Sequence, residues 1–428
     1  MSRTFAAFQI RNYRFFFFGA LISNIGTWIQ RIAQDWLVLT ELTDNSATEL
    51  GIITALQFLA IPFLAGYAGS VIDRYSKRKL LFCTQFALAL IGFAMWAVVF
   101  FGIVEMWQMY LLAFLQGIVA AFDNPGRQSF VPEMVPQTLL PNAVGLNAMS
   151  FNGARLIGPG VAGVLVAAVG TAPALLINAV TFIAMLIALY AMDSSRLHPA
   201  PRVAKKGATR GGIAYIKSKP DIIVLLIIVF TLGTFGLNFQ IYNATMATEV
   251  YGKGATEFGM LGTVMALGTF AGAFAAARRT HPRLKTILAS LFAFSLATIL
   301  AAFAPNYYLY AVLLIPAGFF SLSVMTSANV ATQLASAPSF RGRVMAIYMA
   351  IFIGGTPLGA PIIGWVGDVF GPRATLILGG VTNLLCAVGM LLFFMLHDGL
   401  RLRIEYRHHL PNLIAVWPNH GTNEVNHQ

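Results

Sequence analysis

Twelve apolar runs fill this chain, and they leave little sequence over for anything else. They cover 15–39, 50–72, 80–104, 107–123, 143–169, 172–192, 222–245, 257–277, 286–304, 307–330, 344–367 and 374–396. Most run to roughly 20 residues, the length an α-helix needs to cross a hydrocarbon layer about 30 Å thick. Lipid offers no partner to a bare peptide group, so an open chain of such runs must be helical. The fold class that follows is an all-α membrane protein. Charge agrees, since only 10% of residues are charged, against about 25% in soluble proteins. The formal net charge of +12 would suit a nucleic-acid binder, but the cations sit in short interspan loops and no basic, aromatic-laced domain exists. Cys83 and Cys386 fall within separate apolar runs, so neither a disulfide framework nor a metal site is expected. Arg3, Arg11 and Arg14 precede a first run long enough to remain in the membrane, and no cleavable signal is expected.

Orientation follows from where the cations lie. With the N-terminus in the cytoplasm, all but four of the 28 Lys and Arg residues fall on the cytoplasmic side. The four are Lys253 and Arg373 in outer loops, and Arg31 and Arg155 within spans. Both termini are then cytoplasmic, in a multi-pass protein of the cytoplasmic membrane. The longest interruption, 193–221, is basic and divides the chain six spans to six. The expected organisation is a six-helix bundle over 1–192, a cytoplasmic linker over 193–221, a second bundle over 222–396 and a disordered cytoplasmic tail over 397–428. A weak repeat at an offset of about 201 residues links the halves: Pro159 and Gly163 correspond to Pro361 and Gly364, Gly170 to Gly371, and Val180-Thr181 to Val381-Thr382.

Between the second and third runs stands Gly69-Ser-Val-Ile-Asp73-Arg74-Tyr-Ser-Lys77-Arg78-Lys79. The glycine permits close helix contact, the aspartate is an acceptor at the membrane surface, and the cations hold the loop in the cytoplasm. This resembles the signature loop of the major facilitator superfamily of secondary transporters, with Ser76 where that pattern has Gly. In the fifth run, Ala154, Gly158, Pro159, Ala162 and Gly163 resemble the superfamily's exporter motif, with Ala at two Gly positions. The alternative reading of that run is a packing seam, because small residues let helices approach closely. Gly26-Thr27-Trp28-Ile29-Gln30 with Trp36, Asp123-Asn-Pro-Gly-Arg127-Gln, and Arg341-Gly-Arg-Val-Met-Ala346 are similar to the branch of the enterobactin exporter and related drug-efflux proteins. The resemblance implies two six-helix bundles related by a pseudo-two-fold axis along the membrane normal. It also implies that Asp73 faces the N-terminus of the eleventh span near Val344, and that Asp123 receives Lys77 or Arg78.

No phosphate-cradling Gly-x-x-x-x-Gly-Lys-Ser/Thr loop is present, so a gradient, with protons as the expected coupling ion, is the driver. No cofactor or enzymatic activity is expected, and a functional monomer is. Ionisable residues inside spans are functional candidates by default. Arg155 lies near mid-membrane, where it either binds an anionic group on a substrate or donates to carbonyls around Pro159. Arg31 and Asp35 share a face of the first span and can pair; Asp35 is the candidate proton carrier. Asn147, Asn152, Asn238 and Asn243 are candidate cavity-lining groups, with interhelical hydrogen bonding as the alternative. The function expected is export of a bulky small molecule by alternating access. A nutrient importer or lipid flippase on the same scaffold is the alternative within transport, and a non-transporting receptor the alternative outside it.

Overall fold

The computed structural model describes residues 3–198, 209–277, 284–397, 401–407 and 410–416. Twelve long helices carry the chain: α1 (Arg11–Trp36), α2 (Ala47–Arg74), α3 (Lys77–Phe100), α4 (Met106–Met134), α5 (Leu140–Val169), α6 (Thr171–Tyr190), α7 (Pro220–Val250), α8 (Ala255–Ala277), α9 (Leu284–Ala302), α10 (Tyr307–Ala335), α11 (Arg341–Phe370) and α12 (Pro372–His397). Among the described residues, α2 to α12 are all long and apolar enough to cross a membrane. Gln30, Arg31, Gln34 and Asp35 dilute α1 below that threshold. Many large apolar side chains stay exposed around the helices, among them Phe63, Tyr190, Tyr308 and Phe370, as expected where the surroundings are lipid rather than water.

The repeat seen in the sequence has a structural meaning. Gly170 and Gly371 have φ of 87° and 86°, a left-handed geometry that glycine adopts without a steric penalty. Each ends one helix and starts the next with a one-residue turn, between α5 and α6 and between α11 and α12. Within the first half, α1 packs on α5 and α6, α2 on α4, and α3 on α4 and α6. Within the second, α8 packs on α10, and α9 on α10 and α12. Two seams join the halves, α2 against α11 and α5 against α8, and exchanging the halves turns one seam into the other. This is the two-bundle arrangement that the resemblance implied.

Four features differ from the sequence reading. Helix α4 does not stop at 123 but continues through Pro125 and Pro132 to Met134, for a reason that lies in its polar partners. Helix α7 is broken: π-helical turns over Leu232–Gly236 and Met246–Val250 flank a non-helical step at Leu237 and Asn238. A short linker helix, Thr209–Lys217, docks on the second half, with Tyr215 stacked on Phe340 at 4.5 Å and its hydroxyl accepting from the Ala337 N–H. In the tail, β1 (Arg401–Arg407) and β2 (Leu410–Val416) pair antiparallel, Arg401 opposite Val416, where disorder was expected. Residues 199–208 of the basic linker, the cations at 278–283, and His408, His409, His420 and His427 of the tail lie outside the described residues.

Candidate functional site

Glycines report how the seams close. On the face opposite the termini, a Cβ at Gly51 or Gly364 would overlap the facing backbone across the α2–α11 seam, and one at Gly163 or Gly259 across the α5–α8 seam. The Gly160 N–H donates to the Thr263 hydroxyl at 3.0 Å across the second seam. Toward the face that carries the basic loops, a Cβ at Gly66, Gly69 or Gly145 would meet nothing within 4 Å. Gly69 was expected to allow a close contact; here its end of α2 stands clear, with Tyr67 64% exposed. The molecule is thus sealed on one face and splayed on the basic face.

Asp368, near the end of α11, fastens the sealed face. Its carboxylate accepts from the Ala47 N–H at 2.6 Å, the Thr48 N–H at 3.0 Å and the Ser46 hydroxyl at 3.0 Å. It therefore caps the N-terminus of α2 from the other half of the molecule, where orphan amides and the helix dipole favour an anion. Nothing in the sequence reading pointed to Asp368.

Between the seams, near mid-membrane, lies a cavity of about 280 Å³. Arg31 and Arg155 both line it, and none of its lining residues is acidic. The Arg31 guanidinium sits 5.5 Å from the Trp28 ring and 5.2 Å from the Phe58 ring, held by the attraction of a cation for aromatic faces. Arg155 makes no hydrogen bond or ion pair with any described residue, so the proposed donation to carbonyls around Pro159 is not made. The broken helix α7 supplies much of the opposite wall, including Gly233, Asn238 and Asn243. Interrupted helices expose backbone and polar groups where a membrane protein handles a ligand. Asn238 Nδ2 donates to the Thr234 carbonyl at 2.7 Å, while its Oδ1 is buried without a partner. Asn243 Oδ1 accepts from the Tyr310 hydroxyl at 2.9 Å.

The structure therefore brings Arg31, Arg155, Asn238 and Asn243 together. Asn147 and Asn152 are not in the cavity wall, and Asn152 donates to the Ala148 carbonyl one turn back. Arg31 and Asp35 do not pair. Asp35 is 2% exposed and its Oδ2 accepts from Gln240 Nε2 of α7 at 3.2 Å, while the Arg31 side chain turns to the rings. The exporter-motif residues Ala154, Gly158, Pro159, Ala162 and Gly163 are all buried. Gly158 meets Trp28 of α1, and Pro159 and Gly163 meet α8. Pro159 and Gly163 thus take part in the α5–α8 seam, and Gly158 in the contact of α5 with α1.

Charges near the basic face have partners that differ from those expected. Asp123 does not receive Lys77 or Arg78. Its Oδ1 accepts from Thr84 and Gln85, both at 2.7 Å, and its Oδ2 from Arg127 Nε at 2.7 Å. Arg127 also donates to Ser23 on α1 at 3.0 Å. These long-range partners explain why α4 stays helical through a stretch that reads as a loop. Lys77 pairs instead with Glu133 at the end of α4. Arg78 donates to the Leu189 and Tyr190 carbonyls and to Ser194, capping the C-terminus of α6, where a cation is favoured. Beyond that helix, the hydroxyl and N–H of Ser195 hold the Asp193 carboxyl below the usual carboxylate range. Asp73 is exposed and makes no hydrogen bond or ion pair with a described residue.

Residues 2–419 match the family model described as transmembrane secretion effector. The chain belongs to that family, within the major facilitator superfamily. It is 25% identical over 408 residues to a staphyloferrin A transporter of Staphylococcus aureus, covering 92% of this chain and 99% of that protein. It is 24% identical over 383 residues to the multidrug efflux pump Tap of Mycolicibacterium fortuitum, covering 87% and 93%. Among solved structures, an inward-facing, unoccupied bacterial homolog of the human lysosomal transporter Spinster superposes with a TM-score of 0.69 at 14% identity, covering 89% of this chain and 95% of that one. The protein is a multi-pass membrane transporter of the efflux type that acts on small molecules.

Proposed function

We propose that this effector exports a bulky small molecule from the cytoplasm by alternating access, coupled to proton entry, and that the state described above is open to the cytoplasm. The observation that carries this reading is the contrast between the two ends of each seam. Glycines are in backbone contact at one end and face empty space at the other, on the same pair of helices. Rocking the halves about the cavity would close the free glycines and part the packed ones. The collection of cations on the splayed face supports placing that face in the cytoplasm. Coupling is assigned to Asp35. It is an enclosed carboxyl whose hydrogen bond to Gln240 spans the two halves, so it must be remade in each cycle.

Direction is tested by comparing small molecules inside and outside host cells with and without the chain. Export predicts a compound that rises in the cells and falls in the medium when the chain is lost. The opposite pattern would make it an importer, and redistribution of lipid alone a flippase. With that compound in proteoliposomes, Asp35→Asn should abolish uphill movement driven by an imposed pH gradient yet spare downhill equilibration. Uphill movement in that variant would remove Asp35 from the coupling step.

The cytoplasmic gate has its own expected result. The N-terminus of α11, at Arg341 to Val344, carries no side-chain cap, and Asp73 at the end of α2 is free to reach it when the basic face closes. Asp73→Asn should then reduce transport about tenfold, the effect of losing one charge-assisted hydrogen bond in the closed state, with membrane abundance nearly unchanged. Full transport by this variant would leave the loop a topogenic role only.

A further inference from the structure

The cavity holds two cations and no lining acid, and nothing so far accounts for that. Burying two guanidinium groups near mid-membrane is costly without counter-charge. Arg31 is held by two aromatic faces, which leave its N–H edges free to donate. Arg155 has no partner at all among the described residues. Asp35, one turn beyond Arg31, acts on it electrostatically but stands behind the cavity lining, where it accepts from Gln240. The one nearby acid cannot balance both arginines, and the cavity wall is left with an excess of positive charge.

The relative placement of the two arginines follows from the helix contact beside them. Trp28 lies against Gly158, where an added Cβ would stand 2.5 Å from the Trp28 Cβ. Both helices run from the basic face, Arg31 lies three residues beyond Trp28, and Arg155 lies three residues before Gly158. Their Cα atoms are thus offset by about 9 Å along the axis at 1.5 Å per residue. Two guanidiniums carried on backbones so offset suit two separate carboxylates, each of which a planar fork grips with paired hydrogen bonds. Opposite them, the unpaired Oδ1 of Asn238, on a side chain 3% exposed, calls for a donor such as a hydroxyl or amide N–H. The Trp28 and Phe58 rings and the apolar wall formed by Phe258, Met265 and Phe352 suit a flat or apolar body between the anionic ends.

We infer that the cargo of this transporter is an organic polyanion with at least two carboxylates, clamped between Arg31 and Arg155, and that cationic molecules are rejected by the same pair. This assignment rests on the exporter reading above and narrows its substrate class. It also gives the clamp a part in the cycle. A dianion offsets the excess positive charge of the cavity wall, which lowers the cost of enclosing both arginines when the basic face closes.

Two dyes with one xanthene skeleton and opposite charge serve as probes: carboxyfluorescein and a cationic rhodamine. Binding is read by fluorescence anisotropy on purified full-length protein, and transport by dye movement in proteoliposomes. Carboxyfluorescein should bind and the rhodamine should not. Arg31→Gln and Arg155→Gln should each weaken carboxyfluorescein binding at least about tenfold, the loss expected for one charge-assisted contact. Arg155→Lys, which keeps the charge without the fork, should fall between wild type and Gln, with thermal unfolding of each variant as the control for folding. Preference for the rhodamine, absence of carboxyfluorescein binding, or equal binding by folded Gln variants would overturn the clamp. Arginine-dependent binding without any dye movement would keep the clamp and overturn the exporter reading. Movement indifferent to both arginines would do the reverse.

Discussion

Asp123→Ala is expected to destabilise the first bundle by about 3–5 kcal/mol, the range for removing one member of a buried ion pair. Asp123 is 4% exposed and neutralises Arg127 on the same helix, so its loss strands a cation that has already been taken out of solvent. Thr84 and Gln85 on α3 would lose their acceptor as well. The expected readouts are a marked fall in membrane abundance and a lower unfolding temperature in detergent. Asp123→Asn keeps an acceptor for one neighbour and should cost less. The pair Asp123→Leu with Arg127→Met should recover much of the loss, because an apolar pair leaves no charge to compensate. If the single Ala variant is as stable as wild type, the network contributes nothing to the fold. If the apolar pair is stable but inactive, the network's purpose lies in the transport cycle instead.

That network also marks where sequence reasoning reached and where it stopped. Twelve helices were legible because hydrophobic length is a local property, whereas Gly170 and Gly371 stood out only as matching positions of the repeat, and their turns came with the structure. Arg31, Arg155, Asn238 and Asn243 were legible as candidates because polar groups inside apolar runs stand out. Their company was not. Trp28 lies three residues from Arg31 and so shares its helix face, but Phe58, the other ring on Arg31, comes from a different helix. The extension of α4 was hidden because Asp123, Asn124, Pro125 and Arg127 look like a loop until Ser23 and Gln85 are placed beside them. The pairing of Arg31 with Asp35 was suggested by a four-residue spacing, yet spacing cannot say which of several attractive partners a side chain takes. The break in α7 had a faint signal in Gly233 and Gly236, and the triplet Gly233-Thr234-Phe235 echoes Gly26-Thr27-Trp28. Both triplets lie in or beside cavity-lining segments, one in each half.

Asp368→Ala should release the face opposite the basic loops. Three hydrogen bonds to one carboxylate hold the start of α2 against the end of α11, and they exist only while that face is closed. Their partial exposure to solvent limits their worth, so the shift expected is about 2 kcal/mol toward the opposite state, or roughly thirtyfold in the equilibrium constant. If Asp73 acts as the gate proposed above, Asp368 and Asp73 form a reciprocal pair. Asp368, from the end of α11, caps the N-terminus of α2 in one state, and Asp73, from the end of α2, is placed to cap the N-terminus of α11 in the other. Each carboxylate exchanges water for helix amides as its own face closes, so weakening one latch should favour the other. The check uses Ile353→Cys, in the cavity wall, with Cys83 and Cys386 changed to Ser. A membrane-impermeant thiol reagent applied from the face opposite the basic loops should label this cysteine slowly in the parent and many times faster with Asp368→Ala. Adding Asp73→Asn to Asp368→Ala should return labelling toward the parent rate, because both states then lack their latch. Equal labelling of parent and Asp368→Ala would mean that glycine packing along the seam, and not the aspartate, keeps that face shut.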